Sequence, residues 1–171
     1  RDGKSLEPRT GDAFEVGVKS EFLDGRITTS FDVFMTKQDN LAELDPGQIV
    51  SGTLSERAYR AVNGARTRGF DAEINGEIQP GWKVAASYTH PVTENPDGAR
   101  INPVAPAELV RSWTTYRMPD ELDRLTLGGG VNWQSGIHFS TTPWQLSKTV
   151  KARQDDYAVF NLMARYAFTD N

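Results

Sequence analysis

LTLGGGVNWQSG, residues 125–136, has the two-residue period of a β-strand with unlike faces. Leu125, Leu127, Val131 and Trp133 fall on one side, and Thr126, Gly128, Gly130, Asn132 and Gln134 on the other. An apolar side ending in tryptophan, set against glycine and amides, calls for two different environments. A phosphate-cradling glycine loop does not fit. Trp133 stands where a dinucleotide fingerprint needs glycine, and strand periodicity continues where a helix should begin.

The same alternation recurs along the chain. Phe14, Val16, Val18 and Phe22 oppose Glu15, Gly17, Lys19 and Glu21. Ile27, Thr29, Phe31, Val33 and Met35 oppose Thr28, Ser30, Asp32 and Thr36, with Phe34 an apolar exception. Phe70, Ala72, Ile74 and Ile78 face away from Asp71, Glu73, Asn75 and Glu77. Trp82, Val84, Ala86 and Tyr88 oppose Lys83, Ala85, Ser87 and Thr89. In the last segment Ala158, Phe160, Leu162, Ala164, Tyr166 and Phe168 oppose Tyr157, Val159, Asn161, Met163 and Arg165. With VRSWTTYRM (110–118) these make seven strand-like segments, most of them near the ~9–11 residues that cross a bilayer with tilt.

Connection lengths add a second signal. Leu23–Arg26, Gln79–Gly81 and the PDELDR stretch (119–124) are tight. The stretches from Asp39 to Asn63, Val92 to Glu108 and Ser135 to Asp156 are long and polar. Short and long connections alternate without exception. A soluble antiparallel sheet also alternates apolar with polar residues, but its loops have no reason to follow that rule. An up-and-down sheet crossing a membrane does, with short turns on one side and long loops on the other. Aromatic residues near segment ends (Trp82, Tyr88, Trp133 and Phe168) suit interfacial girdles.

Composition closes other routes. The chain has 171 residues, 37% of them hydrophobic, and a mean hydropathy of −0.54. No stretch approaches the ~20 apolar residues of a membrane helix. A net charge of −4 without a basic run gives no sign of nucleic-acid binding. Without cysteine there are no disulfides, thiolate metal sites or cysteine nucleophiles. His90 and His138, read as residues of different loops, show no metal-ligand spacing. Asp71, Glu73 and Glu77 on one strand face are read as charges of a hydrated surface, because glycoside hydrolysis needs a second, opposed carboxylate. Thr53-Leu54-Ser55-Glu56 has capping-box form, which places a short helix in the first long loop.

EVGVKSEFLDGRITTSFDVFMTKQDN (15–40) resembles a stretch of the TonB-dependent siderophore receptors. YRAVNGARTRGFDAEINGEIQPGWKVAASYTH (59–90) is similar to that family's next hairpin. RINPVAPAELVRSWTTYRM (100–118), LTLGGGVNWQSG and YAVFNLMARYAFTDN (157–171) follow in the family's order. Glu108 departs from it, standing where many members have histidine; no functional change is attached to that. The resemblance implies an all-β fold, an antiparallel up-and-down meander of about seven strands. That meander is an open segment of a transmembrane barrel of roughly 22 strands with a plugged lumen. Residues 1–171 would be the C-terminal portion, with the plug domain and the last strands outside it. The two end strands should not pair with each other.

The resemblance further implies a non-enzymatic transporter without cofactor or resident metal, in the outer membrane of a Gram-negative bacterium. Its substrate would be a ferric siderophore, and its partners outer-membrane lipid and, through an N-terminal region, the TonB energy-transducing complex. Leu125, Leu127, Val131 and Trp133 would then meet lipid. The glycines opposite would leave room for a plug or for the sheet to bend. Ligand recognition should come from the long loops. Tyr59, Phe139 and Trp144 are the aromatic candidates, and Arg57, Arg60 and Arg100 would attract an anionic chelate. Two alternatives remain at this level: a soluble β-rich ligand-binding module, and a passive porin or outer-membrane barrel enzyme.

Overall fold

The computed structural model describes residues 5–49, 57–98, 100, 105–141 and 150–168. Its strands are β1 (Thr10–Phe22), β2 (Ile27–Asp39), β3 (Leu41–Ile49), β4 (Arg57–Val62), β5 (Ala65–Gln79) and β6 (Trp82–Glu94). They continue with β7 (Leu109–Arg117), β8 (Leu125–Gln134), β9 (Ile137–Thr141), β10 (Val150–Gln154) and β11 (Tyr157–Tyr166). Seven of them form one sheet in the order β1-β2-β5-β6-β7-β8-β11. These are the seven segments expected from alternation. β1 and β11 end the order, each with one neighbour.

Two of the long connections are more regular than their composition suggests. β3 pairs with β4 in the first, and β9 with β10 in the third, each an antiparallel ribbon of its own. Extended backbone there satisfies its own hydrogen bonds without an apolar face, so no periodicity announces it. The register of β3 and β4 shifts between Leu44 and Ile49, the stretch that holds Pro46 and Gly47. The capping-box residues 53–56 lie outside the described residues. His90 and His138 belong to β6 and β9 and not to irregular loops, because β6 runs on to Glu94 and His138 pairs with Arg153 in the β9–β10 ribbon. PDELDR contains one short 3-10 turn at Asp120–Leu122.

Residue contacts divide the chain into two units. The first comprises Arg1–Glu15, Phe34–Arg68 and Val92–Ile101 and contains the β3–β4 ribbon. The ribbon's base is tied by polar groups. Asn40 N–H donates to Asn63 Oδ1 at 2.7 Å, and the Asn40 side-chain amide reaches the Pro8 carbonyl at 3.0 Å. Gly64 N–H donates to Asp39 Oδ1 at 2.6 Å and to the Gln38 carbonyl at 3.0 Å. Asn40 (φ 58°) and Gly64 (φ 82°) take the left-handed conformation that lets the chain turn out of the sheet and back.

The second unit comprises Val16–Val33, Gly69–Pro91 and Asn102–Asn171. Its registers decide which residues share a face. Tyr88, Val110, Trp133 and Ala158 form one cross-strand row, and Trp82, Tyr116, Leu127 and Ala164 another. Both rows lie on the apolar side, giving aromatic residues at its two levels. Phe70 extends that side, with ring centroids 5.7 Å from Phe31, 5.5 Å from Tyr88 and 5.6 Å from His90. At the short-turn end Glu77 N–H donates to the Arg26 carbonyl at 2.8 Å. Gly76 permits this approach, since a β carbon there would meet Arg26 O and come within 2.7 Å of Ile27 Cα.

Exposure runs opposite to that of a water-soluble sheet. Ala65 is the buried apolar residue among those described. Phe14, Val16, Val18, Phe31, Val33, Ile74, Leu127, Phe160 and Leu162 are all exposed, the last at 91%. In β2 the apolar Phe31, Val33 and Met35 are exposed, while Asp32 and Thr36 between them are half-buried. Water does not tolerate so broad an apolar surface; a bilayer does.

Candidate functional site

The polar side of the second unit is built from the same registers shifted by one residue. Ala85, Trp113, Gly130 and Asn161 form one row; Ser87, Arg111, Asn132 and Val159 form the next. Between them lies an open depression of about 350 Å³, bordered by Glu73, Asn75, Arg111, Trp113, Asn132 and Asn161. Carboxylate, guanidinium, amides and one indole therefore converge on a single face. Asn132 and the β5 carboxylates are where alternation put them. Arg111 and Trp113 were missed, although VRSWTTYRM puts both on the same side as Thr115.

Glycine shapes this face. A β carbon on Gly130 would meet the Ser112 carbonyl and stand 2.7 Å from Trp113 Cε3. On Gly128 it would come within 3.1 Å of Thr115 Cγ2, Met163 Cε and the Thr114 carbonyl. The space these glycines leave is occupied by side chains of the adjoining strands. At Gly130 the absent β carbon leaves a seat for the Trp113 ring.

At the long-loop end, Ser135 holds the start of β7. Its Oγ accepts the N–H groups of Ala107 (3.0 Å) and Glu108 (3.1 Å), and its own N–H donates to the Glu108 carbonyl at 3.0 Å. The Glu108 carboxylate lies 3.7 Å from His90 Nδ1. In the first unit Thr67 and Thr93 hydroxyls share a 3.0 Å hydrogen bond, and Arg68 forms an ion pair with Glu94. Each long connection thus leaves a frame fixed at its base.

The candidate ligand residues are distributed over both units. Arg57, Tyr59 and Arg60 belong to β4, where Tyr59 pairs with Leu44 and Arg60 with Glu43. Tyr59 is 55% exposed. Arg100 bridges Glu94 in the second long connection of the same unit. Phe139 belongs to β9 in the other unit, opposite Ala152. Trp144 lies outside the described residues. Among the described residues, no three His, Asp or Glu side chains group in a way that would hold a metal ion.

Comparison with known proteins accords with this geometry. A family profile described as "TonB dependent receptor-like, beta-barrel" matches residues 1–171. The ferric-pyoverdine 358 receptor of Pseudomonas putida is 44% identical over 169 residues, 99% of this chain and 20% of that protein. The ferripyoverdine receptor of Pseudomonas aeruginosa is 37% identical over 175 residues, 98% of this chain and 21% of that protein. Among solved structures, the ferripyoverdine receptor of the outer membrane of Pseudomonas aeruginosa, bound to ferripyoverdine, superimposes with a TM-score of 0.85 at 38% identity. That superposition covers 97% of this chain and 22% of the other. The chain therefore spans about a fifth of the length of the relatives it matches.

Proposed function

Because the chain belongs to the TonB-dependent receptor-like β-barrel family, we propose that it supplies wall strands and outer loops to a receptor importing a ferric siderophore of the pyoverdine class. The alignment of 99% of this chain, at 44% identity, with a fifth of a ferric-pyoverdine receptor supports this reading. The exposed apolar face supports it, since that face needs lipid against it. The family is one of outer-membrane receptors of Gram-negative bacteria and not of enzymes. The chain's part is to hold, orient and admit a ligand.

In this reading the depression around Arg111 and Trp113 faces the barrel lumen. The connections holding Arg57, Tyr59, Arg60, Arg100, Phe139 and Trp144 face outward and contribute to capture. Arginines draw an anionic chelate inward, and aromatic rings offer flat apolar contact to its organic part. Energy from TonB would enter through a region outside these residues. The test is uptake of iron-loaded pyoverdine by cells lacking their own receptor and supplied with the full-length protein. Uptake that requires TonB is the expected result. A correctly inserted receptor that takes up no pyoverdine but transports another iron chelate would replace the substrate class.

A further inference from the structure

On the apolar side of the second unit, a groove of about 510 Å³ runs between Trp82, Tyr116, Leu127 and Leu162, with Gly129 and Thr114 as its floor. Register explains it. Val84, Thr114, Gly129 and Leu162 form one cross-strand row. Two small residues at its centre leave backbone uncovered between taller neighbours. Trp82 and Tyr116 stand edge to face, with centroids 6.4 Å apart, and wall one side.

Gln79, the last residue of β5, also lines the groove, and the polar side-chain atoms at the floor are engaged with each other. Trp82 Nε1 donates to Thr114 Oγ1 at 2.8 Å, and that hydroxyl donates to the Lys83 carbonyl at 2.9 Å. An occupant therefore finds no donor on the floor, which selects hydrocarbon over a polar ligand. Its size falls within the range of small-molecule sites. Trp82 directly follows the tight Pro80-Gly81 turn, so the groove opens at the short-turn end, the periplasmic side in barrels of this kind.

We propose that this groove holds one acyl chain of an inner-leaflet phospholipid, retained longer than the lipid that surrounds the rest of the wall. The proposal rests on the membrane-wall reading above, and the groove is continuous with the face that meets lipid. The bilayer itself covers it: the groove runs from the girdle level of Trp82 and Tyr116 to the next row inward, Thr114, Gly129 and Leu162, so the end of an acyl chain from the nearer leaflet reaches it.

The experiment uses the full-length receptor in vesicles containing a phosphatidylethanolamine with a photoreactive acyl chain, with labelled peptides mapped by mass spectrometry. Labelling of the peptides bearing Trp82, Tyr116 and Leu162 is expected to exceed, several-fold, that around Val16 and Val33, which are apolar and more exposed than Trp82. Gly129→Leu fills the floor with hydrocarbon and should abolish the excess while leaving other labelling intact. Even labelling over the whole apolar face, or an excess that survives Gly129→Leu in a folded receptor, overturns the groove and leaves the membrane wall standing. If Gly129→Leu does not assemble, the map of the unaltered receptor decides alone. Absence of labelling from the entire face overturns both readings.

Discussion

Trp113 lies over Gly130, its cross-strand partner, so closely that a β carbon on the glycine would stand 2.7 Å from the ring. That contact holds the largest side chain of the polar face against β8 and makes one wall of the depression beside Arg111.

Gly130→Ala should therefore destabilise the assembled receptor by about 1–3 kcal/mol, the usual cost of overpacking. Gly128→Ala, whose neighbours stand at 3.1 Å, should cost less. Heat-modifiable mobility of the full-length protein on a gel, read as a function of temperature, checks the ranking. Equal tolerance of both changes would mean that the β7 backbone at Ser112 yields as well as the Trp113 ring.

Charge on the apolar face should impair insertion according to depth. Ile74→Arg should cost about 2–4 kcal/mol if the residue sits near the bilayer midplane. Leu127 shares a row with Trp82 and Tyr116 at girdle level, so Leu127→Arg should cost less, toward about 0–1 kcal/mol. Thr126 is the matched polar-side control. It pairs with Arg117 on β7 and Arg165 on β11, so Thr126→Glu introduces a charge that its row accepts. Yields of folded, membrane-inserted receptor give the comparison, and equal yields across all three would reverse the face assignment.

The β3–β4 ribbon should loosen when its base is cut. Asn63→Ala removes the acceptor for Asn40 N–H, a bond worth about 1 kcal/mol at a partly solvated site. Limited proteolysis should then nick the segment between residues 40 and 63 faster, with insertion unchanged. Unaltered cleavage would show that the Gly64 bonds to Asp39 and Gln38 suffice alone.

Replacing residues 138–153 by a tight turn removes most of the β9–β10 ribbon and Phe139 with it. The β8–β11 register, from Gln134–Tyr157 to Leu125–Tyr166, does not depend on the ribbon, so assembly should persist. Binding of the ferric ligand should weaken, because long loops on a rigid frame carry recognition. Affinity and uptake that match those of the intact receptor would remove this connection from the capture surface.

Strand identity was legible because a sheet between two unlike media must alternate at every second residue. Phe70 to Ile78 and Trp82 to Tyr88 carry that alternation openly, and the tight turns at Leu23–Arg26 and Pro80-Gly81 mark where it reverses direction. The inverted exposure of Phe31, Val33 and Met35 over Asp32 and Thr36 follows from the same letters. The ribbons β3–β4 and β9–β10 were not legible. Both their faces are polar or mixed, so pairing there is fixed by backbone hydrogen bonds that leave no trace in hydropathy. Nor could the chain order alone say what Gly130 is for. Periodicity put it on the polar side, but only the register that sets Trp113 opposite it shows which side chain fills the gap. The same holds for Gly129 and Thr114, unremarkable apart and a groove floor once β7 and β8 align. Alternation is a property of one strand, while a site is a property of neighbours, and neighbours are chosen by pairing across the sheet.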